Sequence, residues 1–161
     1  MSRAFWTSLA IGGAVLVETA LGYFMPSPGR YLDLFLLVAV YCALAGGETH
    51  GMLAGSAAGW VQDTLFGGPV VGLSALSKLL AGFVAGLVAG RFLIASAAAR
   101  ALVILLATLA DALLVQWLAS VFSVPVGGLS PLALLSRAAL NALAGGLLFA
   151  LVDRRVQRSA P

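Results

Sequence analysis

Residues 51–90 read GMLAGSAAGWVQDTLFGGPVVGLSALSKLLAGFVAGLVAG, and this stretch decides the fold. Two ladders with a fourth-residue spacing flank the turn at 67–69. The first comprises Gly51, Gly55, Gly59 and Asp63, and the second comprises Ser74, Lys78, Gly82, Gly86 and Gly90. Side chains four residues apart lie on one stripe of a helix. Each ladder therefore predicts a helix with a smooth glycine strip and one ionisable side chain.

In lipid, glycine strips let helix backbones approach closely, since the hydrophobic effect does not drive helices together there. The strips have two interpretations that stay open at this point. They pack the two helices against each other, or they receive the helix of a partner protein.

Composition places the chain in a membrane. Of its 161 residues 61% are hydrophobic and 9% are charged, and the mean hydropathy is +1.07, whereas soluble domains are about 45–50% apolar. At about 20 residues per crossing, the length suits five or six helices and no separate soluble domain. We expect a single all-α integral membrane domain over 1–161. Most arginines lie at span ends rather than along one face, so the net charge of +3 does not indicate a nucleic-acid partner.

Six apolar segments are separated by turn-forming residues. Pro26, Pro28 and the Gly67-Gly68-Pro69 turn are examples of these breaks. The predicted helices cover approximately 4–24, 31–45, 48–66, 70–94, 98–122 and 132–152. The first segment contains Glu18 and no convincing cleavage site, so we interpret it as a retained span and not a signal peptide.

Arginine positions set the predicted orientation. With both termini on the cytoplasmic side, six arginines fall on that side and two near the outer side. The six are Arg3, Arg91, Arg100, Arg154, Arg155 and Arg158, and the two are Arg30 and Arg137. Because short loops rich in Lys and Arg stay in the cytoplasm, this asymmetry predicts cytoplasmic termini in a multi-pass protein.

Polar residues gather in the outer half of the predicted bundle. They are Glu18, Asp33, Asp63, Lys78, Arg137 and Asn141, with Asp111 near mid-membrane. Charged groups at such depth are costly unless paired or hydrated, so we expect a polar notch that opens outward. At 1.5 Å rise per residue, Asp63 lies about 5 Å and Lys78 about 12 Å from the outer ends of their helices, which makes an ion pair between them a hypothesis. Interfacial anchoring is the alternative for Asp33, Asp63 and Arg137.

Catalytic and metal chemistry find little support in the sequence. The single histidine, His50, falls in a predicted turn, and the single cysteine, Cys42, falls in an apolar run. Neither has a partner for a metal site or a disulfide. We expect no enzyme activity, no cofactor and no metal.

The stretch from Gly55 to Lys78 resembles the MreD family of bacterial rod shape-determining proteins. The shared pattern is a glycine-spaced helix ending in an aspartate, a short glycine-containing loop, and the run Gly72-Leu73-Ser74-Ala75-Leu76-Ser77-Lys78, followed by further glycines such as Gly82 and Gly86. The resemblance covers the central third of the chain closely and the rest loosely.

The resemblance implies a non-enzymatic subunit of the cell-elongation machinery in the bacterial inner membrane. Its expected direct partner is MreC, through the membrane helix and adjoining outer segment, within a complex that holds MreB, RodA and a penicillin-binding protein. The implied fold is similar to the S components of energy-coupling-factor vitamin transporters. A solute-binding subunit of such a transporter is the alternative function, and a lipid-modifying enzyme is a third class. Homo-oligomerisation stays open.

Overall fold

The computed structural model describes residues 3–24, 32–67, 70–92, 94, 96–125 and 130–158, with side chains up to residue 151 in the last range. The helices are α1 (Arg3–Phe24), α2 (Leu34–Gly46), α3 (Glu48–Phe66), α4 (Leu73–Arg91), α5 (Ala97–Val121) and α6 (Pro131–Arg158). These ranges contain no strand. The predicted all-α class with six helices is confirmed.

Four helices are long and apolar enough to cross a membrane, namely α1, α4, α5 and α6 over Pro131–Leu151. Helix α2 is apolar but has 13 residues, and α3 has 19 residues but is less apolar. The helices are thus consistent with a membrane protein. The predicted total of six crossings is supported for four of them.

The helix ends follow from local residues. Helix α3 has the predicted bounds, and its C-cap residue is Gly67, whose φ of 72° is left-handed and suits glycine. Helix α4 begins at residue 73 rather than 70 because Gly72 has a φ of 101°. Helix α2 begins at residue 34 because the Asp33 carboxylate accepts a hydrogen bond from the backbone N–H of Leu36 at 2.9 Å. The predicted start at Tyr31 and the arginine at Arg30 lie outside the described residues, as do the side chains of Arg154, Arg155 and Arg158.

The two glycine strips face each other in a tight α3–α4 hairpin. Gly51 faces the backbone carbonyl of Gly82, and Gly55 faces the backbone of Lys78. A Cβ atom at Gly51, Gly55, Gly59, Gly82 or Gly86 would lie under 3.0 Å from backbone atoms of neighbouring segments. The strips therefore pack the chain's own helices, the first of the two interpretations.

Gly90 does not share this role. It is exposed, and a Cβ atom there would have no other atom within 4 Å. Its place in the predicted packing strip is wrong, because the hairpin contact ends at Gly86, against the start of α3 at Glu48.

The remaining helices pack around the hairpin. Helix α2 lies against both α3 and α4, and α5 lies between α4 and α6. The core at these contacts includes the fully buried Leu36, Val40, Ala43 and Ile104. Helix α1 lies at the periphery, with Ala14 its one buried residue among those described. The structure thus has a firm centre formed by α2 to α6 and a loosely packed first helix.

Candidate functional site

Lys78 lies at the centre of the candidate site. Its side chain leaves the second turn of α4 and is 2% exposed. The Nζ atom lies 2.8 Å from Oδ2 of Asp33 and 3.5 Å from Oδ1 of Asp111, both carboxylates being 2% exposed or less. One ammonium group therefore joins the beginning of α2 to the middle of α5.

Arg137 of α6 completes the set. One of its terminal nitrogens lies 3.0 Å from Oδ2 of Asp33 and 3.5 Å from Oδ2 of Asp111. Asp33, Lys78, Asp111 and Arg137 are called the charge cluster below. With all four groups ionised its formal charge is zero, which is the arrangement that makes charges tolerable away from water. The cluster connects α2, α4, α5 and α6.

Two neutral side chains bond the two aspartates, one at a carboxylate oxygen and one at a backbone N–H. The Ser77 hydroxyl donates to Oδ1 of Asp111 at 2.7 Å. The amide oxygen of Asn141 accepts from the backbone N–H of Asp33 at 2.9 Å. Both Ser77 and Asn141 are fully buried. Sequence reasoning named Asn141 but missed Ser77, although a serine directly before a membrane-embedded lysine is a signal that could have found it.

Glu18 belongs to the surroundings of the cluster. It is half-buried, and its Oε1 atom accepts from the backbone N–H of Leu34 at 3.1 Å. This bond ties α1 to the first turn of α2, beside Asp33. Of the seven predicted polar residues, the structure brings together Glu18, Asp33, Lys78, Asp111, Arg137 and Asn141.

Asp63 has a different role. Its Oδ2 atom accepts from the backbone N–H groups of Gly72 at 2.8 Å and Ser74 at 3.0 Å. It thereby caps α4, whose N-cap residue Gly72 has no side chain to do so. The hypothesised pair between Asp63 and Lys78 is wrong. Depth along the helices brought the two residues near each other, but the Lys78 side chain extends toward α2 and α5.

Several buried polar atoms lack a hydrogen-bond partner among the described residues. Two of them, Nε of Arg137 and Nδ2 of Asn141, are donors on α6 next to the charge cluster. The orientation of the Asn141 amide is set by the N–H of Asp33, which requires the oxygen on that side. One end of the cluster can therefore still donate hydrogen bonds to an acceptor.

His50, which was predicted in a turn, lies in the first turn of α3, and Cys42 lies in α2. Both are away from the charge cluster. His50 contacts the Thr7 hydroxyl at 3.3 Å, and that hydroxyl lies 3.7 Å from the sulfur of Cys42. These contacts join α1, α2 and α3 at the end of the bundle opposite the start of α2. Within the described part of the chain, no three His, Cys, Asp or Glu side chains are grouped to hold a metal ion.

Comparisons of the chain with protein-family models, with curated proteins and with solved structures found no match.

Proposed function

We propose that this chain is a non-enzymatic scaffold of the bacterial cell-elongation machinery in the inner membrane, where it binds MreC. One observation carries the proposal. The residues that resemble the MreD family are the ones on which the fold depends. Asp63 caps α4, Lys78 links three helices, and the glycines permit the hairpin. Because the shared residues have these structural roles, the resemblance favours a fold shared with the MreD family over a chance similarity of sequence.

The proposed orientation has both termini in the cytoplasm. It rests on the arginine asymmetry and puts the start of α2, with the charge cluster beside it, in the outer half of the membrane. There the cluster holds four helices in fixed positions next to the site where an outer segment of MreC would approach. In this proposal the chain acts by holding its partners in position, and RodA, MreB and a penicillin-binding protein join through the wider complex.

Gly51, Gly55, Gly59, Gly82 and Gly86 are packed within the α3–α4 hairpin, so in this proposal they do not receive the MreC helix. The partner surface must therefore lie on the outward helix faces. Helix α5 presents one such face, formed by Leu102, Leu106, Leu113 and Trp117, each more than half exposed. Residues at these spacings fall on one stripe of a helix, as helix-to-helix recognition requires.

The test is co-expression with MreC, followed by affinity purification and cysteine crosslinking. The background is Cys42→Ala, which removes the chain's one cysteine. Single cysteines then replace Leu106 on α5, Leu143 on α6 or the buried Ala58, against a series of cysteines in the MreC membrane helix. We expect MreC to co-purify and the α5 position to crosslink, with no crosslink at Ala58. Failure of MreC to co-purify when both proteins are folded in the same membranes would overturn the proposal.

The alternative is a solute-binding subunit of a vitamin transporter. The donors of Arg137 and Asn141 that lack partners favour it, because an acceptor-rich solute would satisfy them. A small molecule retained after mild purification, together with ATP-dependent uptake that needs separate energising subunits, would support the transporter and count against the scaffold.

A further inference from the structure

The helices that share the charge cluster form two groups. Helices α2, α3 and α4 pack mainly against one another, and α5 packs mainly against α6. The chain passes between the groups once, from the end of α4 at Arg91 to the start of α5 at Ala97. The boundary between the groups is called the seam here. It runs chiefly along α4 and α5, with smaller contacts of α2 on α5 and α6.

Each group contributes one carboxylate and one cation to the cluster. Asp33 and Lys78 come from α2 and α4, and their contact of 2.8 Å lies within the first group. Asp111 and Arg137 come from α5 and α6, and their contact of 3.5 Å lies within the second group. The Arg137–Asp33 contact of 3.0 Å and the Lys78–Asp111 contact of 3.5 Å cross the seam. If the groups part, each therefore retains an ion pair of its own and a formal charge of zero.

This division of the charges removes the largest cost of opening the seam. Breaking a buried ion pair is costly chiefly because it leaves an unpaired charge in surroundings that cannot solvate it. A division with both carboxylates in one group and both cations in the other would hold the groups together for that reason. In the observed division, both surfaces of the seam stay neutral when the contacts across it break.

Hydrogen bonding at the seam is incomplete in the structure. The Ser77 hydroxyl donates across the seam to Oδ1 of Asp111 at 2.7 Å, and the Asn141 oxygen accepts from the backbone N–H of Asp33 at 2.9 Å. Beside these bonds, Nδ2 of Asn141 and Nε of Arg137 are buried donors without a partner among the described residues. In a parted seam, water would bond both donors and offset part of the loss of the first two bonds.

We infer that the charge cluster is a separable joint, at which the α5–α6 pair parts from α2, α3 and α4 along the seam and returns. The closed state is the structure described above, in which each cation contacts both carboxylates and the cluster holds four helices. In the parted state, Lys78 stays with Asp33, Arg137 stays with Asp111, and water enters the seam. The inference goes beyond the scaffold proposal and does not require MreC.

The test compares double variants that each lose one carboxylate and one cation but differ in where the surviving ion pair lies. Asp111→Asn with Arg137→Met leaves the Lys78–Asp33 pair within one group, whereas Asp111→Asn with Lys78→Met leaves the Arg137–Asp33 pair across the seam. These surviving contacts are similar, at 2.8 and 3.0 Å. A second set uses Asp33→Asn. With Lys78→Met it leaves a pair within a group, and with Arg137→Met it leaves a pair across the seam, both at 3.5 Å.

Cysteine labelling measures the parting in the full chain in lipid nanodiscs. In a Cys42→Ala background, Ala119→Cys places a thiol at the seam, since Ala119 of α5 lies in a buried cluster with Leu73 of α4. Ala75→Cys is the control, because Ala75 is also buried near the start of α4 but lies against Gly59 of α3. The reagent is sulfonatoethyl methanethiosulfonate, which reacts where water reaches the thiol, and mass spectrometry follows the labelling rate.

We expect the Ala119→Cys thiol to react faster than the Ala75→Cys thiol. In each set, the variant with its surviving pair across the seam should react about tenfold more slowly at Ala119→Cys than the variant with its pair within a group, because parting would leave one unpaired charge on each surface. The slower variant lacks Lys78 in the Asp111→Asn set and retains it in the Asp33→Asn set. The expected order therefore does not follow from the loss of either cation alone.

Three results would overturn the inference. They are equal labelling rates within a set, a slower rate for the Lys78→Met variant in both sets, and equal rates for the Ala119→Cys and Ala75→Cys thiols. The last result would mean that general unfolding exposes both thiols. Thermal unfolding shows which variants are folded, and if one set does not fold, the order within the other set decides.

Discussion

The ammonium nitrogen of Lys78 lies 2.8 Å from Oδ2 of Asp33, and both side chains are almost fully buried. Asp33 also caps α2 through the N–H of Leu36 and pairs with Arg137. One carboxylate thus has a capping role and two ionic contacts. The position of α2 depends on two cations that other helices supply.

Removing one member of the charge cluster should destabilise the fold strongly. Lys78→Met leaves two buried carboxylates with one cation between them, and we expect a loss of about 3–5 kcal/mol in the free energy of unfolding. Thermal unfolding in detergent and steric trapping in bicelles both measure it. Arg91→Met on the same helix is exposed and should stay within about 0.5 kcal/mol of wild type.

Removing a matched pair should cost less than the sum of its single losses. Lys78→Met combined with Asp111→Asn restores the balance of charge, so the double variant should be more stable than additivity predicts by about 1–3 kcal/mol. Strict additivity in this double-mutant cycle would show that the 3.5 Å contact between the two groups contributes nothing.

Because Asp63 caps α4, its removal should cause a modest loss of stability. Exchanging the charges of Asp63 and Lys78 should not restore that loss. Asp63→Ala should lower stability by about 1–2 kcal/mol, because the N–H groups of Gly72 and Ser74 lose their acceptor. Asp63→Lys combined with Lys78→Asp should be worse than either single change. Partial recovery in that double variant would revive the direct pair and contradict the observed contacts.

Gly55 on the first ladder and Gly90 on the second should respond in opposite ways to substitution by alanine. Gly55→Ala should destabilise the hairpin by about 1–3 kcal/mol or more, since its Cβ would meet the backbone of Lys78. Gly90→Ala has open space and should leave stability unchanged or raise it by about 0.5–1 kcal/mol. Hydrogen exchange of α3 and α4 amides measures the local effect in both variants.

The amide oxygen of Asn141 should contribute to the stability of the fold. Asn141→Ala leaves the buried N–H of Asp33 without an acceptor, for an expected loss of about 1–3 kcal/mol. Leu143→Ala, at a position 66% exposed on the same helix, is the control for a smaller side chain on α6. If the two variants have equal stability, the amide oxygen is not what holds the beginning of α2.

The sequence predicted the helices and the gathering of polar residues well, for physical reasons. Apolar runs interrupted by glycine and proline define helices in lipid, and costly charges in such runs must meet. Which charges meet depends on how each helix is rotated about its axis. The depth of a residue along its helix does not give that rotation. The hypothesis that Lys78 pairs with Asp63 rests on depth alone, whereas its partners are 45 and 33 positions away in sequence, at Asp33 and Asp111. The prediction that Gly90 packs in the hairpin is wrong for a similar reason. The fourth-residue spacing continues to Gly90, but the contact between α3 and α4 ends at Gly86.

Helix α2, with its 13 residues, has a consequence for the membrane itself. It is about 20 Å long, whereas the hydrocarbon layer of a typical bilayer is about 30 Å thick. As a crossing helix, α2 would require the polar surface of the bilayer to bend inward to Asp33 at its start, or the charges to remain in hydrocarbon. Thinner membranes relieve that mismatch at a modest energetic gain per ångström. The protein should accordingly be more stable in bilayers of shorter lipids and should gather where the membrane is thin.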